Sequence, residues 1–286
     1  MLATREHMVV ANGLRHHVIV WGDQPVDVIL CHGFLDIAWS FDAVARGLAA
    51  AGHGVASFDW RGHGQTEWIG AGGYYHFPDY VLDLEELIPQ LASRRIHLVG
   101  HSMGGSACAM YAAARPEKLR TLSLIEGLGP PEMEARDPAS RLRAWLEGVS
   151  KTRKRNRAPM KDESTALRRM RIQNPELPDE LGLFLVSKST MAVEGGLQWT
   201  FDPLHKTFSP RPFEADLFSR TLEAIPVPTL IVAGQGGLRL ADEEARMSAI
   251  LDHRFVEIAG VGHMIHWFEP DRLSSELATF FSERGA

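Results

Sequence analysis

The chain has 286 residues, and what it has little of excludes several classes of protein. It carries only two cysteines, Cys31 and Cys108. One is expected at a strand end and the other inside a helix, as reduced packing residues rather than a disulfide. No apolar run approaches the ~20 residues that a membrane helix needs. The opening residues, Met-Leu-Ala-Thr-Arg-Glu-His, lack the apolar stretch of a signal peptide. These absences predict a cytoplasmic protein without a membrane partner. Excess positive charge is also missing: the net charge is −6, which gives no reason to expect nucleic acid. There is no internal repeat, no low-complexity tract, no metal-ligand cluster and no nucleotide-binding glycine loop, so neither metal nor cofactor is implied. What remains, 45% hydrophobic and 23% charged, is an ordinary globular composition, long enough for one large core or a core with an insertion.

The most informative stretch is Leu98-Val-Gly-His-Ser-Met-Gly-Gly105. Residues 95–99 read as a short buried strand, and residues 103–114 as a small-residue helix stopped by Pro116. Between them Gly100-His-Ser102-Met-Gly104 fits G-x-S-x-G in a strand–turn–helix setting. Glycines flanking the serine let strand and helix approach closely, which leaves Ser102 Oγ at a helix N-terminus where N–H groups favour an oxyanion. Ser102 is therefore the candidate nucleophile. The N–H of Met103 is one expected oxyanion donor, and that of Phe34, in the glycine-bearing turn after Cys31, is the other.

Around this stretch the chain alternates. Residues 7–21 form two antiparallel strands about Asn12-Gly13, a hairpin turn signal. Apolar strands follow at 26–31, 54–58, 119–125, 226–234 and 255–258, with helices at 39–48, 80–91, 240–250 and 270–281. Residues 128–215 break the rhythm and read as a mostly helical insertion, with Asp137 and Asp179 as caps and Leu142, Trp145, Leu146 and Val149 as one helix's apolar stripe. The basic run 151–157 reads as a solvated helix end or lid loop, with an anionic partner as the alternative. The predicted architecture is an α/β core (1–127 and 216–286) with a helical lid (128–215).

A serine needs a base, and a histidine base needs an acceptor to hold its tautomer. Among 13 histidines, His263 stands out, because Gly260-Val-Gly-His263 follows the last strand and opens at the same crevice as Ser102. Nearby His266 reads as a pocket or helix-start residue.

In order and spacing, His32-Gly33-Phe34, Asp59-Trp60-Arg61-Gly62-His63-Gly64, Gly100-His-Ser102-Met-Gly104 and Gly262-His263 resemble the α/β-hydrolase fold superfamily over essentially the whole chain. Phe77-Pro-Asp-Tyr80, Ile125-Glu-Gly-Leu-Gly129 and Trp199-Thr-Phe-Asp-Pro203 are similar to its serine hydrolase-like group. The resemblance implies a mostly parallel eight-stranded sheet flanked by helices, with the lid after the sixth strand. It also exposes a departure. In most such proteins the triad acid follows the glycine matching Gly234, whereas here Gln235-Gly236-Gly237-Leu238 supplies no carboxylate. Glu126, at the end of the sixth strand, is the preferred acid, with Asp242 or a Ser–His dyad as alternatives. Pocket candidates are His32, Trp39, His101, Trp145 and Phe184.

The function these readings predict is hydrolysis of a small or medium carboxylic ester through an acyl-enzyme on Ser102, His263 and Glu126. C–C bond hydrolysis, cofactor-free oxygenation and ligand reception with slow turnover are the rivals. The expected partner is a small-molecule acyl substrate, and the chain is expected to be a monomer or homodimer. Since only the elbow serine combines exposure, a base and an oxyanion site, a fluorophosphonate probe should modify Ser102 alone. Mass spectrometry should find the label lost in Ser102→Ala, and persistent labelling of that variant would remove Ser102 as nucleophile.

Overall fold

The computed structural model describes residues 3–132 and 137–284. The first two residues of the N-terminal stretch, residues 133–136 of the insertion and the last two residues lie outside that description. The chain opens with the hairpin β1 (Thr4–Ala11) and β2 (Leu14–Trp21), closed by Asn12 and Gly13 with φ of 46° and 74°. Both values suit the primed turn that matches strand twist. Next come β3 (Val26–Cys31), a 3₁₀ turn at Ala38–Phe41, α1 (Asp42–Ala50), β4 (Gly54–Phe58), α2 (Phe77–Leu91), β5 (Ile96–His101), α3 (Met103–Ala114) and β6 (Leu119–Ile125). Between the sixth strand and the return to the sheet lie α4 (Pro138–Lys154), α5 (Glu163–Met170), α6 (Asp179–Ser189), β7 (Thr190–Val193), β8 (Gly196–Trp199) and α7 (Ala215–Glu223). The chain ends with β9 (Thr229–Gly236), α8 (Glu243–Ala249), β10 (His253–Gly262), α9 (Ile265–Phe268) and α10 (Pro270–Arg284).

Eight strands form one sheet in the order β1-β2-β4-β3-β5-β6-β9-β10. Strand β2 runs antiparallel to both its neighbours, and every other pair is parallel. The near-continuous apolar strands follow from burial on both faces. In β3, Ile29 and Cys31 point into the core under α2 and α3, while Val28 and Leu30 point into the core under α1 and α10. Each such fully buried aliphatic side chain contributes roughly 1.5–3 kcal/mol. Cys31 and Cys108 are both free and buried, and burial pushes the Cys31 thiol up.

The insertion differs from the helical expectation by an antiparallel hairpin, β7 with β8, whose register runs Thr190–Trp199 to Val193–Gly196. Met160 pairs with Leu197 beside it. The helical period gave no warning because a four-residue strand is too short to show alternation. Asp137 caps α4, accepting the Ser140 N–H at 2.9 Å. Asp179 lies inside α6, whose cap position is Pro178 and has no side-chain acceptor. The first part of the basic run closes α4, where Lys151, Arg153 and Lys154 sit at the negative end of the helix dipole, and residues 155–157 continue as a loop.

The glycine-bearing loop after β4 is held by polar groups rather than by packing alone. Arg61 Nε donates to Asp83 Oδ2 of α2 at 2.7 Å, its Nη2 donates to Asp83 Oδ1, and both side chains are almost fully buried. Asp59 accepts the N–H groups of Ala38 and Gln65 at 2.7 and 2.9 Å and bonds the His17 ring at 2.8 Å. Burial opposes its charge, yet the bond and charge of His17 hold its carboxyl below the usual range. Removing one partner of a buried ion pair strands the other. Asp83→Ala should therefore lower stability by about 3–5 kcal/mol, read as a lower urea midpoint at unchanged m. A loss under 1 kcal/mol would show that the loop is not held by this pair.

Candidate active site

Strand β5 delivers the chain to Ser102 in a conformation that L residues rarely adopt, φ 51° and ψ −117°. The neighbouring glycines show why it is tolerated. A Cβ on Gly100 would stand 2.6 Å from the Gly104 carbonyl oxygen and from Gly105, and one on Gly104 would stand 2.5–2.6 Å from the carbonyl oxygens of His32 and Cys31. The strained residue, costing on the order of 1–3 kcal/mol, is fastened on both sides. Its N–H donates to Ile125 at 2.9 Å, and its carbonyl accepts from Ser106 at 3.1 Å. Among the described residues no hydrogen bond reaches Ser102 Oγ, and no acceptor takes up the N–H of Phe34 or Met103.

Glu126 follows β6 and is likewise at positive φ, 50°. Its N–H donates to Val232 at 2.8 Å. Its carboxylate is buried and triply held: Oε1 accepts the N–H of Gly234 at 2.7 Å, and Oε2 accepts the N–H of Leu238 at 2.7 Å and the Nδ1–H of His263 at 3.1 Å. The segment without a carboxylate thus wraps one. A Cβ on Gly237 would lie 2.0 Å from Glu126 Oε1, so only glycine allows the loop to close over it. Asp242, the rival acid, pairs instead with Arg246 Nε at 2.7 Å. His263 sits just beyond β10, whose register slips between Ile258 and Gly262. With Nδ1 donating to Glu126, Nε2 carries the lone pair.

His101 and His32 stand behind the elbow. His101 Nε2 donates to the carbonyl of His263 at 3.0 Å, tying the elbow to the base-bearing loop. Burial, reinforced by His266 and His263, holds its ring neutral. His32 donates from Nδ1 to the carbonyl of Gly33 at 2.8 Å and accepts the Trp60 N–H on Nε2 at 3.1 Å. The turn between them contains Leu35 at φ 59°, whose N–H donates to His63 Nε2 at 3.2 Å. His63 thereby holds the Phe34 turn.

A cavity of about 370 Å³ opens at Ser102, Met103 and Glu126. Its walls are aromatic: Phe34, Tyr74, Tyr75, Phe77, Tyr80 and His205. The phenols face other partners. Tyr74 donates to the carbonyl of Phe208 at 2.9 Å, Tyr75 donates to Asp202 at 2.8 Å, and Tyr80 bonds His205 Nδ1 at 3.3 Å. None of the five pocket candidates lines this cavity. Trp39 packs edge-on against Trp21 and Phe184 instead, Trp145 packs behind Tyr74, both ring nitrogens of His32 are taken by backbone bonds, and His101 Nε2 is turned to the His263 carbonyl. Spacing marks a side chain as apolar without saying which side of a wall it takes. The motif 77–80, and the histidine two residues past 199–203, were visible signals; their convergence was not.

The fold and this arrangement place the chain in one class. Residues 27–270 match the alpha/beta hydrolase fold family, and the chain belongs to it. Within that family it falls in the serine hydrolase-like group. It is 26% identical over 276 residues to the serine hydrolase-like protein of Danio rerio, covering 91% of this chain and 83% of that one. It is 30% identical over 269 residues to a 3-hydroxybutyrate-oligomer hydrolase of Cupriavidus necator, covering 89% and 88%. Among solved structures, a thioesterase domain from the curacin biosynthetic pathway superposes with a TM-score of 0.85 at 28% identity, covering 97% and 99%. No described helix is long and apolar enough to cross a membrane.

The buried histidines make stability sensitive to acid. Burial lowers His205 and His97 from 6.5 to about 4. Between those values the unfolded chain binds a proton that the native ring refuses, so stability is whole above about pH 6.5 and falls as pH drops towards 4. Each ring removes at most about 1.4 kcal/mol per pH unit. Urea unfolding at stepped pH should show this slope, reduced in His205→Gln; a flat wild-type profile would contradict it.

Proposed function

We propose that the protein is a serine hydrolase of small or medium, uncharged carboxylic esters, acting through an acyl-enzyme on Ser102, His263 and Glu126. The observation that carries this reading is the Glu126–His263 bond at 3.1 Å, with the carboxylate clamped by two backbone N–H groups. Glu126 holds the tautomer in which His263 Nε2 accepts the serine proton. Ser102 Oγ then attacks the ester carbonyl, and the oxyanion forms where the N–H groups of Phe34 and Met103 and the start of α3 are available. His263 returns its proton to the leaving alkoxide. Water repeats the sequence on the acyl-enzyme, with His263 again as base. The Ser102–His263 hydrogen bond is one that substrate binding completes, as often holds for catalytic contacts in ligand-free enzymes.

The cavity supports an uncharged substrate. Its aromatic walls have their polar atoms already engaged, and the one carboxylate among its described lining residues, Glu126, is bonded to two backbone N–H groups and His263. The names of the relatives, an oligomer hydrolase and a thioesterase, agree with acyl transfer chemistry. Residues 128–215 serve as the lid of the core domain formed by 1–127 and 216–286, and supply cavity walls at 129–131 and at 204, 205, 207 and 209. The later part of this lid is anchored: Asp202 N–H donates to Gly62 at 2.8 Å, Trp68 Nε1 donates to Thr200 at 2.8 Å, and His205 Nε2 bonds the carbonyl of Arg61 at 3.2 Å.

On a p-nitrophenyl ester, Glu126→Gln should lose roughly 10²–10⁴ in kcat with little change in KM, because the acid acts on the orientation of the base. Asp242→Asn should stay near wild type, with thermal melts confirming that both variants fold. Full activity of both variants would leave a Ser–His dyad, and a crippled Asp242→Asn beside an active Glu126→Gln would move the acid to the segment after β9. No turnover of any ester by the wild type would return the fold to a receptor role.

A further inference from the structure

Behind the elbow lies a group of donors that the hydrolytic reading does not use. Asp36, His101 and His266 come from the turn after β3, the end of β5 and α9, and one ligand atom of each lies within 4.8 Å of the others. The two imidazole rings are 4.4 Å apart, centre to centre. Both are almost fully buried, and the Asp36 side chain is only 7% exposed.

The hydrogen bonds assign the nitrogens. His101 Nε2 faces the carbonyl of His263 at 3.0 Å, so it is the N–H and Nδ1 carries the lone pair. His266 Nε2 faces Asp36 Oδ2 at 3.1 Å, so an ion held by both would replace the proton they share, and the ring N–H would move to Nδ1. Neither Nδ1 has a partner, and both are shut away from solvent. A buried polar atom without a partner costs on the order of 1–3 kcal/mol, and here two occur on adjacent rings. Glycine at position 33 leaves the His101 nitrogen uncovered on that side, where a Cβ would stand 2.7 Å from it.

We propose that Asp36, His101 and His266 form a buried site for one divalent transition-metal ion, and that its occupancy inhibits the enzyme. Two imidazoles and one carboxylate suit zinc, cobalt or nickel rather than magnesium or calcium, which prefer all-oxygen sets. His101 already makes the outer bond that metal-bound histidines make, an N–H to a backbone carbonyl. Ser40 adds a hydroxyl to Asp36 Oδ2 at 2.8 Å, steadying the third donor. Asp36 supplies negative charge, and a water or hydroxide completes the coordination.

Tetrahedral zinc with ~2.0–2.1 Å bonds sets its donors about 3.3 Å apart. The side chains must therefore close by up to about 1.5 Å from their 4.8 Å limit. His101 cannot make that movement alone. It is bonded through the chain to Ser102 and through Nε2 to the carbonyl of His263. Closing on an ion displaces nucleophile and base relative to each other, which is why binding is inhibitory.

Cobalt binding followed by its visible d–d absorption tests the site without relying on turnover, in a Ser102→Ala background. One equivalent should bind, and zinc should displace it. His266→Gln and Asp36→Asn should each weaken binding by at least ~10-fold, as even the loss of outer partners does. His263→Ala, which keeps the backbone carbonyl, should bind as tightly as its parent. In the active enzyme zinc should slow ester turnover, and EDTA should restore it. If His266→Gln fails to fold by thermal melt, Asp36→Asn carries the same comparison. Absence of one-equivalent binding, equal affinity in both ligand variants, or loss of binding in His263→Ala would each overturn the site. None of these results bears on the serine mechanism, which the ester kinetics test separately.

Discussion

Helix α3 crosses the end of β5 so closely that backbone meets backbone. A Cβ on Gly105 would stand 2.7 Å from Gly127 Cα, one on Gly100 would meet Gly104 and Gly105, and one on Gly104 would meet the carbonyls that end β3. Three parallel strands are thereby locked to one helix N-terminus. The consequences are specific. Ser102 is forced to φ 51°, the Met103 N–H lies at the helix start, and the turn carrying Phe34 is drawn over the elbow by the Gly33–His101 contact. The Gly105–Gly127 contact fixes the chain next to Glu126. One steric constraint thus places the proposed nucleophile, both proposed oxyanion donors and the proposed acid.

The acid shows how a site can move along a sheet without changing its geometry. The carboxylate grows from β6 rather than from the segment after β9, yet it meets His263 Nδ1 at 3.1 Å. The two strands are parallel neighbours in the sheet, so their ends open at the same crevice and either can reach the histidine. What changes is the role of the segment after β9. Relieved of a side chain, it presents the N–H of Leu238 to the carboxylate, beside that of Gly234 from β9 itself. Gly237 is the steric condition for that exchange. A buried carboxylate with two backbone donors is held rigidly, which is what an orienting acid requires.

Polar joints tie the insertion to the core beside apolar ones such as Trp39–Phe184, and the cavity between them is walled largely by aromatic rings. Asp202 and His205 reach the loop after β4 through backbone carbonyls, and that loop is itself held to α2 by the buried Arg61–Asp83 pair. Bonds of this kind have narrow geometric tolerance, so they fix where the aromatic walls stand. The rings then present carbon to the cavity because their hydroxyls are spent on the joints. Stability and specificity draw on the same residues here.

Much of this was legible before any coordinates. Strands 26–31, 54–58 and 119–125 announce themselves as apolar runs because a strand buried on both faces has no polar side to show. The elbow is legible because its glycines answer a local steric demand, and His263 because it follows the last strand in a fold whose strand ends share a crevice. The missing carboxylate after Gly234 was equally plain. Tertiary structure decided the rest. Trp39 and Phe184 turned to each other rather than to the cavity, a four-residue hairpin interrupted the helical insertion, and the aromatic walls came from 74–80 and 205. Asp36, His101 and His266, scattered through the chain, became neighbours only when the sheet order set β3 beside β5 and α9 packed against the turn between them. Periodicity and backbone sterics act between residues close in sequence and can be read there, whereas convergence of side chains from distant segments depends on strand order and packing.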